Sequence, residues 1–232
     1  MNDFVVDVPA VPSVPVFGQT GRFPVHRIYC VGRNYAEHAI EMGATGREPP
    51  FFFMKPGDAV VPVGPGGAAM AYPSLTHNLH HELELVVAIG RGGRDVAVAD
   101  ALHHVYGYAI GLDLTRRDLQ DEMKQQRRPW CISKGFDDSA PIGMITPAEQ
   151  MPDIQHTALR LDVNGRVRQS GNTQQMIWSV AEVIAQASCA WALQPGDLIY
   201  TGTPAGVAAV QPGDVLTAWA AGLQPFTLRI GD

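Results

Sequence analysis

Two glutamates stand one residue apart in an otherwise apolar run, Glu82-Leu83-Glu84-Leu85-Val86-Val87-Ala88-Ile89. On a β-strand, positions i and i+2 share a face, so this spacing sets two carboxylates side by side. Leu83, Leu85, Val87 and Ile89 on the other face require a core, and Val86 and Ala88 prolong the acidic face with residues that also avoid water. Neighbouring carboxylates in a partly buried place repel each other and lose hydration, and a divalent cation relieves both effects. An exposed strand end carrying two solvated acids satisfies the same spacing. Asp113 interrupts a second apolar run, 108–114. Read alone, it is a cap or a backbone-bonded acid as readily as a ligand. Three all-oxygen ligands would suit Mg2+ or Mn2+, whereas zinc would favour histidine or cysteine. His77, His80 and His81 stand nearby without a zinc spacing and read as loop residues.

A second pair is His38 with Glu41. At i and i+3 on a helix they share a face, so the carboxylate can orient the imidazole and raise its basicity. That is the base-and-orienter half of many hydrolytic sites, and also the pattern of an ordinary exposed ion pair. Arg33, Lys55 and Lys134 are single cations in Gly/Pro-rich or apolar surroundings, which would suit an anionic substrate beside a metal. Arg116, Arg117, Lys124, Arg127 and Arg128 make a locally basic stretch that reads as a solvated helix face. The segment Tyr200-Thr201-Gly202-Thr203-Pro204-Ala205-Gly206-Val207 lets backbone amides approach a carboxylate closely, and it lacks the lysine of a nucleotide phosphate loop.

These residues need a scaffold, and the pattern supplies one. Short apolar strands are expected at 28–31, 51–54, 82–89 and 106–114. Asn164-Gly165 between 159–163 and 167–169 is the strongest hairpin signal. Helices are expected at 34–42, where Asn34 and Glu37 fit a capping box, and at 95–105, 116–126 and 173–191. Pro9, Pro12, Pro15 and Pro24 make residues 1–24 an extended arm ahead of one catalytic domain, 25–232. Pro-Gly-Asp turns at 56–58, 195–197 and 212–214 are too unevenly spaced for a repeat architecture. The whole reads as a mixed, strand-dominated α/β fold.

With 17 Lys+Arg against 23 Asp+Glu, the net charge of −6 disfavours general nucleic-acid and anionic-membrane binding. Hydrophobic residues at 46% and charged residues at 17% argue against disorder. Cys30, Cys131 and Cys189 are odd in number and unpaired in spacing, as in a cytoplasmic enzyme with reduced, largely buried thiols. The first residues carry neither a basic region nor a long apolar run, so no secretory or membrane segment is expected.

Five stretches together resemble the fumarylacetoacetate hydrolase family in its short, single-domain branch. They are Val31-Gly32-Arg33-Asn34-Tyr35-Ala36-Glu37-His38, His80-His81-Glu82-Leu83-Glu84-Leu85, Gly111-Leu112-Asp113-Leu114-Thr115, Arg117-Asp118-Leu119-Gln120-Asp121-Glu122 and Thr201-Gly202-Thr203-Pro204. The resemblance implies a β-sandwich or roll with peripheral helices, assembled as a homodimer. It implies Mg2+ or Mn2+ on Glu82, Glu84 and Asp113, a water-activating dyad of His38 and Glu41, and Lys134 in the catalytic centre. Arg33, Lys55, Arg117, Gln120 and Thr203 become substrate contacts. The stretch Glu48-Pro49-Pro50-Phe51-Phe52-Phe53-Met54-Lys55-Pro56 resembles members that cleave fumarylpyruvate. The implied activity is hydrolysis of a carbon–carbon bond in a 2,4-diketo acid (an acylpyruvate), giving fumarate and pyruvate in aromatic-compound degradation. Oxaloacetate decarboxylation, or isomerisation of an unsaturated 2-oxo acid, uses the same enolate. A non-catalytic binding protein on the same fold is a more remote alternative.

Overall fold

The run 85–89 is apolar on both faces, so it has to lie between two layers. The computed structural model describes residues 4–35, 48–151 and 153–232. There Leu83–Ile89 is a strand with every residue buried, each aliphatic side chain contributing about 1.5–3 kcal/mol when fully withdrawn from water. The strand sits inside an eight-stranded sheet ordered Phe51–Lys55, Ile28–Gly32, Leu198–Tyr200, Leu83–Ile89, Val105–Leu112, Ala140–Ile142 and Val60–Pro62, with Thr146–Pro147 also paired to Val105–Leu112. One face carries Leu85, Val87 and Ile89 with Tyr108, Ile110 and Leu112 into a core shared with a five-stranded sheet. The other face carries Val86 and Ala88 with Cys30, Ala109 and Tyr200 into a second, smaller core. A three-stranded sheet, Thr115–Arg116, Leu79–His81 and Ala208–Val210, closes one end. The strand-dominated α/β roll with peripheral helices expected from the sequence is the architecture that forms.

Elements with strong local signals appear where they were expected. The Asn164-Gly165 turn has φ of 52° and 74°, joining Ala158–Val163 to Arg166–Asn172. The polar helix runs Arg117–Gln125. The expected helix at 95–105 is a 3-10 helix, Val98–His104. The expected helix at 173–191 divides into a 3-10 turn, Thr173–Gln175, and a helix, Val180–Ala190. Asn172 and Ser179 each form a complete capping box, so the chain starts a helix twice. Between the two starts, Asn34 takes the backbone: Ile177 N–H donates to its carbonyl at 2.7 Å and Trp178 N–H to its Oδ1 at 2.8 Å. Of the helix expected at 34–42, residues 36–42, with Glu37, lie outside the described residues.

The proline-rich stretch includes a hairpin of Ser13–Pro15 and Arg22–Pro24 whose Val14 and Phe23 are buried in the second core. The thiols are all free, but only Cys30 is buried. Cys131 opens a four-residue helix at the surface and Cys189 lies on the outer side of its helix, so both are exposed, contrary to expectation. No helix among the described residues is long and apolar enough to cross a membrane.

Candidate active site

The antiparallel register that pairs Leu83 with Leu112 and Glu84 with Gly111 carries Asp113 opposite Glu82, whose carbonyl accepts the Asp113 N–H at 2.9 Å. One strand end therefore delivers two carboxylates and its neighbour a third. Single oxygens of Glu82, Glu84 and Asp113 all lie within 4.8 Å of one another, and all three residues are buried. The exposed strand end that the spacing also permitted is thereby excluded. Gly111 is needed beside them, because a Cβ there would come within 2.6 Å of both Tyr200 and Val86.

Cations are built around the acids. Lys134, at the end of the short Cys131–Lys134 helix, donates to Asp113 Oδ2 at 2.6 Å and to Glu82 Oε2 at 3.0 Å. Burial favours its neutral form, but Asp113 and then Glu82 outweigh burial and hold its pKa above the usual lysine value. Arg117, the first residue of the Arg117–Gln125 helix, donates to Glu82 Oε1 and, one turn along, to Gln120 Oε1. Thr115 Oγ1 also donates to Glu82 Oε1, at 3.1 Å. Glu84 differs. Its Oε2 accepts the Gly202 N–H at 2.7 Å, and burial, then Asp113 and Glu82, push its pKa well above the carboxylate range.

The loop 201–204 thus brings a backbone amide to a carboxylate as its composition suggested, and the carboxylate is the protein's own. Gly202 has a φ of 98°, and a Cβ there would lie 2.7 Å from the Asn34 Cβ, so only glycine fits. Asn34 Nδ2 donates to Thr201 O at 2.8 Å and Trp178 O at 2.9 Å, fixing the loop from the other side.

Lys55 departs from the role expected of it. Its side chain is fully buried behind the acids, with Nζ donating to Leu114 O at 3.1 Å and to Lys134 O. It lies 2.8 Å from Asp113 Oδ1 as an ion contact, and no aligned hydrogen bond reaches that oxygen. Lys55 is a buried counter-charge, not a wall of the cleft. Arg33, Glu82, Glu84, Arg117, Gln120, Lys134 and Thr203 do line one cleft of about 380 Å³, its open mouth included. Phe51, Phe53 and Trp130 form its apolar side. Arg33 is held at φ 57° with its guanidinium 5.8 Å from the Phe51 ring centre. His38 and Glu41 lie outside the described residues. His80 and His81, expected in a loop, belong to the strand Leu79–His81. Burial, then the Arg117 charge, lowers the His80 pKa to about 4.

The donor set fits a hard divalent cation. It consists of carboxylate oxygens only, crowded at a distance where a shared ion replaces mutual repulsion, and the buried Asp113 Oδ1 lacks a hydrogen bond. Sequence reasoning missed Gln169, Thr115 and the aromatic wall of the cleft. Gln169 lies in Arg166–Asn172, whose mostly exposed, polar residues announce nothing, and the Phe51–Phe53 run announced a strand but not a cleft.

Comparison with known proteins bears on the same residues. The family model described as fumarylacetoacetate hydrolase C-terminal matches residues 27–230. A crystal structure of fumarylpyruvate hydrolase from Pseudomonas aeruginosa, in complex with Mn2+ and pyruvate, superposes with a TM-score of 0.96 at 50% identity, covering 99% of each chain. The mitochondrial oxaloacetate tautomerase of Homo sapiens is 43% identical over 88% of this chain and 90% of its own. The mitochondrial oxaloacetate decarboxylase of Dictyostelium discoideum is 41% identical over 89% of this chain and 92% of its own.

Proposed function

The chain belongs to the fumarylacetoacetate hydrolase family, and we propose that it is a divalent-metal enzyme acting on a dianionic 2-oxo acid by way of its enolate. The observation that carries this reading is the charge balance of the buried cluster. Ionised as metal ligands, Glu82, Glu84 and Asp113 contribute −3, and Lys55, Lys134 and Arg117 contribute +3. Adding one divalent ion leaves +2, the complement of a substrate with two carboxylates.

Glu82, Glu84 and Asp113 would hold Mg2+ or Mn2+, which when bound would supply Lewis-acid stabilisation of carboxylate, oxo and enolate charge. Lys134, held by two of the ligands, is positioned to donate a hydrogen bond where negative charge develops; one such donor is typically worth about 3–4 kcal/mol. Arg117, Gln120 and Thr203 line the cleft and orient carboxylate and oxo groups. His38 oriented by Glu41 is the proposed base.

Within this chemistry, hydrolysis of an acylpyruvate such as fumarylpyruvate is supported by the space beside the acids. The cleft shares Phe51, Phe53, Trp130 and Lys134 with a shallow apolar hollow of about 880 Å³, its open mouth included, bordered by Arg128. An unsaturated acyl chain with a distal carboxylate would use that wall and that cation; oxaloacetate is too short to need them. The P. aeruginosa structure, with pyruvate in place, supports the same reading. Tautomerisation or decarboxylation of oxaloacetate is the second reading, and the names of the curated relatives speak for it more directly than for hydrolysis. Fumarylpyruvate, acetylpyruvate and oxaloacetate assayed with Mg2+, with Mn2+ and with chelator separate them. Metal-dependent loss of diketone absorbance with fumarylpyruvate, abolished in His38→Ala, is the expected result. Turnover of oxaloacetate alone assigns the second activity, and its survival in that variant marks decarboxylation, since tautomerisation needs a base. Full turnover in chelator overturns both.

A further inference from the structure

Gln169 is 1% exposed and makes four hydrogen bonds with one amide. Its Oε1 accepts from Leu83 N–H and from His81 Nδ1, each at 2.9 Å. Its Nε2 donates to Thr203 Oγ1 at 2.8 Å and to Pro204 O at 2.9 Å. Leu83 N–H can only donate and Pro204 O can only accept, so the amide fits in one orientation. The other two bonds inherit their direction. His81 Nδ1 has to carry a hydrogen, and Thr203 Oγ1 has to accept one.

That second consequence reaches the cleft. Thr203 is 2% exposed and lines the cleft beside Glu82, Glu84 and Lys134. With its oxygen accepting from Gln169, its own hydrogen is spent on no other group among the described residues. We infer that Gln169 is a positioning residue: it holds the Thr203 hydroxyl as a donor aimed into the cleft, ready for an anionic oxygen of the substrate. The same amide ties the backbone between Glu82 and Glu84 to the loop whose Gly202 N–H holds Glu84. The inference rests on the proposed binding of a 2-oxo acid in this cleft, and it concerns ground-state binding as well as turnover.

Replacing Gln169 with Met keeps length and neutrality but removes both donors, leaving Pro204 O unsatisfied and the Thr203 hydroxyl free to turn away. Replacing Thr203 with Val removes the hydroxyl itself. The test is a double-mutant cycle read by calorimetric pyruvate binding to the Mn2+-loaded protein, with Mn2+ affinity and Tm measured alongside. Q169M and T203V are each expected to weaken pyruvate about tenfold, and Q169M by less than twofold in the T203V background. An equal loss in both backgrounds overturns the inference, since Gln169 would then act only as a structural tie. So does unchanged pyruvate binding by folded Q169M. If Q169M does not fold, Q169E serves in its place: it keeps both bonds to Oε1, cannot donate to Thr203 and draws the hydroxyl towards itself, so the same coupling is expected. Wild-type protein that binds Mn2+ but no pyruvate would overturn the 2-oxo-acid reading itself, an outcome distinct from additive variants.

Discussion

Asp113 and Asp197 are both fully buried aspartates at strand ends of the same sheet, and their surroundings make one part of a candidate metal centre and the other a fastener. Asp197 is saturated: Oδ1 accepts from His26 Nδ1 at 2.8 Å and Arg27 Nε at 3.2 Å, and Oδ2 from Arg27 Nη2 at 2.9 Å and Gln194 N–H at 2.8 Å. Around Asp113 the donors run short. Lys134 serves Oδ2, Oδ1 has only the ion contact with Lys55, and two more carboxylates crowd within 4.8 Å. Burial alone therefore does not mark a functional acid. A shortage of donors around several acids does.

The sharpest break in the comparison is Glu84→Gln. The variant removes one ligand, and its metal-dependent kcat/KM is expected to fall about 10³-fold, the several kcal/mol that a Lewis-acid ion supplies. Above the raised Glu84 pKa, the same change should raise the stability of the metal-free protein by about 0.5–2 kcal/mol, because an amide facing Asp113 and Glu82 donates where an ionised carboxylate repels. Chemical denaturation in chelator checks the gain; a loss of stability would show that Glu84 is already satisfied.

Asp197→Asn should do the reverse. Asparagine places an NH2 against the Arg27 and His26 donors, and with Arg27 and His26 partly exposed the loss is expected to be about 1–3 kcal/mol. The expected outcome is a lower denaturation midpoint with Mn2+ affinity and activity per folded molecule retained. Loss of metal binding without loss of stability would erase the distinction between the two aspartates.

The sequence announced the centre better than the fastener, for a physical reason. Glu82 and Glu84 break the apolar period of a strand, and Asp113 breaks another, so each violates a local rule that only chemistry or exposure explains. Asp197 sits in a Pro-Gly-Asp turn, where aspartate is ordinary, and nothing local tells that His26 and Arg27 arrive from 170 residues away. The helical period at 173–191 misleads for a similar reason. The apolar spacing is real, but Asn34 captures the backbone at 177–178 from across the fold, and that competition is invisible in a window of helical spacing. Lys55 stands out in the sequence as an unusual cation, yet its depth depends on the register pairing Ile28 with Lys55.

The smallest effect separates the two regions by pH. Burial, and after it Asp113 and Glu82, raise the Glu84 pKa well above its ordinary value. A carboxyl whose folded pKa is raised favours folding when protonated, so the metal-free protein loses that stabilisation as pH climbs from the ordinary carboxylate range towards the raised value. Metal ligands have to be ionised, so below the raised value Mn2+ binding displaces a proton from Glu84. The affinity should then rise by up to tenfold, about 1.4 kcal/mol, per pH unit, and level off once Glu84 is ionised. Calorimetry of Mn2+ binding in two buffers of different ionisation enthalpy reads the proton directly. A pH-independent affinity with no proton released would mean that Glu84 is already ionised beside its neighbours. In Asp197→Asn, whose substitution leaves the acidic centre untouched, the same slope should persist.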